Sequence, residues 1–222
     1  VSERLRSASL EDALGELPVF PLPHVVLFPQ AILPLHVFES RYRTMLADCL
    51  ATHGAMAVAQ IVQGTDDNGR PKFARISGGG IIIEHQPLSD GRSNIVLLGQ
   101  ARLELEEIEP EPGKPYRMAR ATILRDEKHG VAESDRTALV AAASMFAAEV
   151  KKHDTHFSFK LPATLDAGML ADLCAYQLIV DAAARQIILE TLDPRERVQM
   201  VLNQLALQHG AMLKDEPDKV LN

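Results

Sequence analysis

Apolar positions along this chain follow three different rhythms. From Leu17 to Leu35, Leu, Val, Ile and Phe are interleaved with five prolines, Pro18, Pro21, Pro23, Pro29 and Pro34. Each proline lacks an N–H and restrains the residue before it, which excludes a helix. The aliphatics between them require burial, so the pattern predicts short buried strands bent at prolines that occupy edges or bulges. Next, Phe38, Tyr42, Met45, Leu46 and Cys49 recur at the spacing of one helical face, while Arg41, Arg43 and Asp48 point elsewhere; Gly54 stops this helix. Alternating runs then predict strands at Met56–Gln63, Gly80–Gln86, Asn94–Leu98, Arg102–Ile108 and Tyr116–Leu124. The turns Asp66-Asp67-Asn68-Gly69 and Ser89-Asp90-Gly91 supply residues that tolerate tight hairpins, so antiparallel pairing is expected. Ser77-Gly78-Gly79-Gly80 reads as a flexible turn or bulge ahead of its strand, and Pro110–Pro115 as a loop. Short strands with a single early helix predict a small closed or nearly closed sheet.

The second part is helical. Leu139, Ala143, Phe146 and Val150 keep helical period from Ser134 onwards, Asp166–Val180 and Asp181–Leu192 continue it after a polar break, and alanine is frequent. Asp193-Pro194-Arg195-Glu196 is a helix start: Asp caps, Pro suits the first helical position, and Glu sits three residues after the cap. Val198, Val201, Leu202 and Leu205 form the stripe of that last helix. The expected organisation is a flexible lead over residues 1–15, a β-domain over 16–128, a helical bundle over 129–210 and a frayed tail over 211–222.

Composition narrows the function classes. The 222 residues are 46 % hydrophobic and 24 % charged, the balance of an ordinary globular chain. Basic residues number 23 against 30 acidic ones, a net charge of −7, with no run of Lys or Arg longer than two. Nucleic-acid binding draws its affinity from neutralised phosphates, so this balance argues against it. No apolar run approaches the roughly 18 residues of a membrane helix, and the charged, polar start does not read as a signal peptide. Cys49 and Cys174 both fall in apolar helical patterns, which predicts buried free thiols and a reduced, cytoplasmic setting.

Reactive constellations are recognisable by their spacing. No phosphate-binding Gly-x4-Gly-Lys-Ser/Thr loop and no Gly-x-Ser-x-Gly elbow occurs. His153 and His156 have metal-compatible spacing, but a zinc site needs three or four ligands, so a solvated connection is expected there. His24, His36, His53, His85, His129 and His209 stand singly. Glu104, Glu106, Glu107, Glu109 and Glu111 read as a solvated strand face. The expectation is a chain that is not an enzyme and needs no cofactor or metal.

One resemblance says more. Leu17-Pro-Val-Phe-Pro-Leu-Pro-His-Val-Val-Leu-Phe-Pro29, followed by Leu33-Pro-Leu-His-Val-Phe-Glu-Ser-Arg-Tyr42, closely resembles the opening of the Lon protease N-terminal substrate-binding domain, above all its stand-alone bacterial members. The likeness continues at Asp90-Gly91-Arg92, Gly99-Gln-Ala-Arg102, Pro115-Tyr-Arg-Met-Ala-Arg-Ala-Thr122, Leu170-Ala-Asp-Leu173 and Gln186-Ile-Ile-Leu-Glu-Thr-Leu-Asp-Pro-Arg-Glu-Arg197, and so spans about Leu17 to Leu207. Gln30 stands where the family usually has Gly, and Ser40 where it often has Pro. The resemblance implies an α+β fold: a PUA-like pseudo-barrel of short, mostly antiparallel strands with one early helix, followed by a C-terminal helical bundle. It also implies recognition of unfolded or tagged polypeptide, with the ATPase and protease modules of full Lon proteases absent from this sequence and no catalytic residue to carry over.

The expected function is therefore a non-catalytic module that binds unfolded polypeptide or a protein partner. Its contact candidates are Phe28, Leu35, Phe38 and Tyr42, where large apolar side chains lie beside proline-bent backbone. A second reading, a small-molecule sensor or an enzyme in a cleft between barrel and bundle, would use His36, Arg41 and Arg102. Arg41 alternatively pairs with Glu39 or caps nearby carbonyls. RNA binding, borrowed from the PUA-like fold alone, is opposed by the negative charge.

Overall fold

The computed structural model describes residues 8–162 and 164–214. Contacts divide the chain into two compact units, Val1–Arg125 and Asp126–Asn222. The first contains strands β1 (Leu17–Leu22), β2 (Ile32–Val37), β3 (Ala55–Thr65), β4 (Pro71–Phe73), β5 (Ile76–Pro87), β6 (Ser93–Ile108) and β7 (Arg117–Leu124), with helix α1 (Ser40–Ala51) after β2.

The proline problem of β1 is solved by offset pairing. Leu17–Val19 pairs antiparallel with β7, whereas Val19–Leu22 pairs parallel with β3. Pro18 thus has a strand partner only in β7 and Pro21 only in β3, so each missing N–H can face the side that needs none. The β1–β3 pairing joins the ends of the path β1-β7-β6-β5-β3, closing it into an uneven pseudo-barrel. Leu10, Ala13, Leu17, Val19, Ala55, Ala57, Ala59, Leu103, Leu105, Ala119 and Ala121 fill its core. Leu10 and Ala13, in the expected flexible lead, are among these core residues and Leu14 packs against them; residues 1–7 of the lead lie outside the described residues.

Between β1 and β2 the chain has no regular structure, yet Val26, Leu27 and Phe28 are almost fully buried. Their backbone crosses the sheet at Gly78 and Gly99, where an added β-carbon would come within 1.9 Å of the Leu27 oxygen and 2.0 Å of the Phe28 oxygen. The Ser77–Gly80 segment is accordingly not a flexible turn before a strand. It lies inside β5, with a register shift between Gly79 and Gly80. The two expected strands Asn94–Leu98 and Arg102–Ile108 are one continuous β6 of 16 residues, which is long rather than short because it pairs β2 over Ser93–Leu98 and then β7 over Arg102–Ile108, while β5 pairs with it over Ser93–Glu104. Its acidic C-terminal half is neutralised across the strands: Glu106 pairs with Arg120 opposite it, and Glu107 with Arg117 and Arg70.

The second unit consists of α2 (Glu133–His153), α3 (Ala167–Leu178), α4 (Ala182–Glu190) and α5 (Pro194–Lys214). Asp166 and Asp181 accept from the N–H groups of Met169 and Ala183 and so cap α3 and α4, and Asp193 accepts from Arg195 at the start of α5. Arg197 is wholly buried, paired with Asp126 through two nitrogens and with Asp172 at 3.3 Å, and it donates to the Thr191 carbonyl at 3.0 Å. Residues 211–214 of the expected tail continue α5; the rest of it lies outside the described residues. No helix among the described residues is long and apolar enough to cross a membrane.

Candidate functional site

The N-terminal half of β6 is flanked by β2 on one side and β5 on the other. Register sets the side chains in rows. His36, Asn94 and Gln86 form one row, and Pro34, Val96 and Glu84 the next. The His36 Nδ1–H donates to Asn94 Oδ1 at 2.8 Å, and Asn94 Nδ2 donates to Gln86 Oε1 at 3.4 Å, a polar ladder across three strands. These residues, with Leu35, line an open groove of about 520 Å³. β2 is the outer strand here, since among the described residues it pairs with β6 alone. At its two ends lie large exposed apolar side chains, Ile32 (50 % exposed) and Phe38 (59 % exposed). The His36 and Phe38 rings stack at 6.0 Å.

Phe38 was expected on the buried face of α1. The helix begins only at Ser40, and the extended backbone of Glu39 (φ −65°, ψ 138°) puts Phe38 ahead of that face, in solvent. Tyr42 does lie on it, 6 % exposed, with its ring 4.3 Å from that of Phe20. Phe28 is 1 % exposed, held under a strap whose backbone packs against β5 and β6 at Gly78 and Gly99. Neither residue offers an open contact surface. Leu35 is half-buried, and Arg102 is buried within β6, not displayed in a cleft. Thus Leu35, His36 and Phe38 come together around β2, while Phe28 and Arg102 belong to the interior.

Arg41 and Tyr42 belong to a second place. They share a cleft of about 220 Å³ with Arg70, Lys114, Tyr116, Arg117, Ile61 and four prolines, Pro21, Pro71, Pro110 and Pro115. Arg41 pairs with Glu39 at 2.9 Å and lies 4.5 Å above the Tyr42 ring, so the expected structural pairing is present. Arg117 is held by the Glu107 carboxylate and by the Pro71 carbonyl at 2.6 Å, over the face of Phe73. Tyr116 donates to Asp48 at 2.5 Å; burial, with that bond and charge, raises its pKa. The alternation Lys114-Pro115-Tyr116-Arg117 was the available sign of this cleft, but nothing in it announced that β1, β3 and α1 would complete the wall.

Elsewhere, burial pushes both thiols, Cys49 and Cys174, up to about 12, which leaves them protonated and inert at neutral pH. His129 is not solitary: its Nδ1 lies 3.0 Å from both Glu127 and Asp193. These three could in principle meet a metal ion, but the Asp193 carboxylate is already occupied by the Arg195 guanidinium at 2.7 Å and by the Arg195 N–H.

A pseudo-barrel with this strapped opening strand, followed by helices, defines a class, and comparison with known proteins identifies it. Residues 16–206 match the family model of the ATP-dependent protease La (LON) substrate-binding domain, and the chain belongs to that family. It is 30 % identical over 193 residues to the Lon protease of Roseiflexus castenholzii, and 28 % identical over 202 residues to that of Heliobacterium modesticaldum. Those alignments cover 84 % and 89 % of this chain but 23 % and 24 % of the relatives, so the chain spans about a quarter of their length. In fold it is similar to the crystal structure of a Lon N-terminal domain protein from Xanthomonas campestris (TM-score 0.63, 22 % identity, covering 85 % of this chain and 97 % of that one). It is also similar to the N-terminal domain of Mycobacterium avium complex Lon protease (TM-score 0.66, 15 % identity, 86 % and 98 % covered).

Proposed function

We propose that this chain is a non-catalytic substrate-recognition module that binds extended polypeptide along β2 and the groove beside it. The observation that carries the reading is the pairing of an outer strand with exposed apolar side chains at both its ends, Ile32 and Phe38. An extended segment laid against such a strand exchanges main-chain hydrogen bonds, and alternate side chains fall on an apolar or polar rim; the combination selects unfolded chain over folded surfaces. Pro34, in the middle of β2, removes one donor from the strand and so discourages indefinite edge-to-edge pairing. Two buried free thiols fit a reduced, cytoplasmic setting. Family membership supports the same reading, since the matching model is that of a substrate-binding domain.

Fluorescence anisotropy with a labelled, permanently unfolded polypeptide tests it. Saturable binding that weakens about tenfold or more in Phe38→Asp and Ile32→Asp, with unchanged melting temperature, is expected from the loss of exposed apolar contacts. Binding that is absent, or that both variants leave untouched, overturns it.

A further inference from the structure

The cleft at Arg41 and Tyr42 has a charge distribution at odds with the rest of the molecule. In a chain of net charge −7, four cationic side chains, Arg41, Arg70, Lys114 and Arg117, line one small cavity, and no carboxylate is among its lining residues. Their acidic partners, Glu39, Asp66, Glu107 and Glu111, hold them from outside that lining. The cations differ in freedom. Arg117 engages all three of its guanidinium nitrogens with Glu107 and Pro71 and is fixed. Arg41 and Arg70 use Nε and Nη2 on their partners, which leaves Nη1 without a partner among the described residues. Their side chains are 53 % and 43 % exposed. Prolines and the two tyrosines form the wall, so little ordering is needed on binding.

We infer that this cleft takes a carboxylate-bearing stretch of polypeptide, seating a carboxylate between Arg41, Arg70 and Lys114 while the accessible prolines Pro71, Pro110 and Pro115 cover its apolar neighbours. A carboxylate presented there accepts charge-assisted hydrogen bonds from planar guanidinium donors, which are stronger and more directional than neutral ones. The inference rests on the polypeptide-binding reading and gives it a preference: segments in which acidic residues stand beside apolar ones or prolines.

Three fluorescein-labelled peptides of Leu, Pro and polar residues test it on the whole chain by anisotropy at low salt. One carries Asp and Glu with an amidated C-terminus, the second carries Asn and Gln with the same amide, and the third is the second with a free C-terminal carboxylate. At least one carboxylate-bearing peptide should bind about tenfold tighter than the neutral amide, and added salt should erase the difference. Which one does so tells side-chain from terminal carboxylate. The preference should vanish in Arg41→Gln/Lys114→Gln with melting temperature retained, and return in Arg41→Lys/Lys114→Arg. Equal binding of all three peptides, still dependent on Phe38, overturns the inference and leaves the β2 reading intact. A preference that survives the double variant overturns it as well. Failure of every peptide to bind overturns both.

Discussion

The carbonyl oxygen of Phe28 rests against the α-carbon of Gly99, so close that a β-carbon there would come within 2.0 Å of it. The two segments are also tied by hydrogen bonds, from the Gln30 N–H to the Gly99 carbonyl and from the Gly99 N–H to the Ala31 carbonyl, both at 2.9 Å. This contact goes with the burial of Phe28 and brings the following strand, β2, alongside β6, where among the described residues no second strand pairs with it. Gly99→Ala is therefore expected to cost about 3 kcal/mol, as overpacking that rotamer changes cannot relieve. Its denaturation midpoint should fall far more than that of Phe38→Asp.

Gln30 has φ +64°, in the left-handed region that glycine adopts freely and other residues adopt at a cost. Gln30→Gly should stabilise the protein by about 0.5–1 kcal/mol, the relief of strain less the added freedom of the unfolded chain. Thermal melts should show a rise of a few degrees without altered peptide binding.

Arg197 and Asp172 are both buried in the helical unit, 3.3 Å apart, and Arg197 also pairs with the partly exposed Asp126. Truncating Arg197 to Ala removes the buried guanidinium that faces Asp172 at 3.3 Å, at an expected cost of about 3–5 kcal/mol. Arg197→Met/Asp172→Leu should recover much of that loss. Chemical denaturation of the two variants beside the parent chain measures the non-additivity directly.

The two thiols make a prediction about alkaline pH. Burial raises Cys49 and Cys174 from an ordinary value of 9.0 to about 12 in the folded state. Between those values the unfolded chain releases protons that the native chain keeps, so stability should fall as pH climbs through this window. The matching chemical test is a thiol titration at pH 8: both cysteines should react only after unfolding. Cys49→Ala/Cys174→Ala should flatten the alkaline decline.

Much of the fold was legible from local patterns. The α1 stripe Tyr42, Met45, Leu46 and Cys49 is buried as its spacing predicts, and Asp166, Asp181 and Asp193 each bond to an N–H in the first turn of the helix they precede. The site was less legible. Leu35 and Phe38 were found because large apolar residues beside prolines are conspicuous, but Phe28 and Tyr42 share that appearance and are buried; His36 was a candidate for its polar ring alone. Asn94, Gln86 and Glu84 joined the groove through cross-strand register alone, which local composition does not encode.

Chain composition and periodicity determined where this protein bends, where it coils into helices and which stripes those helices hide, because proline geometry, capping and hydrophobic spacing act within a few residues. Tertiary structure alone decided which of several similar aromatic side chains reaches solvent, and how cations far apart in the chain come to line one cleft. That difference has a physical cause: burial and charge clustering depend on which strands meet and in what register, and the glycine contacts beneath Leu27 and Phe28 set that only once distant segments have closed on one another.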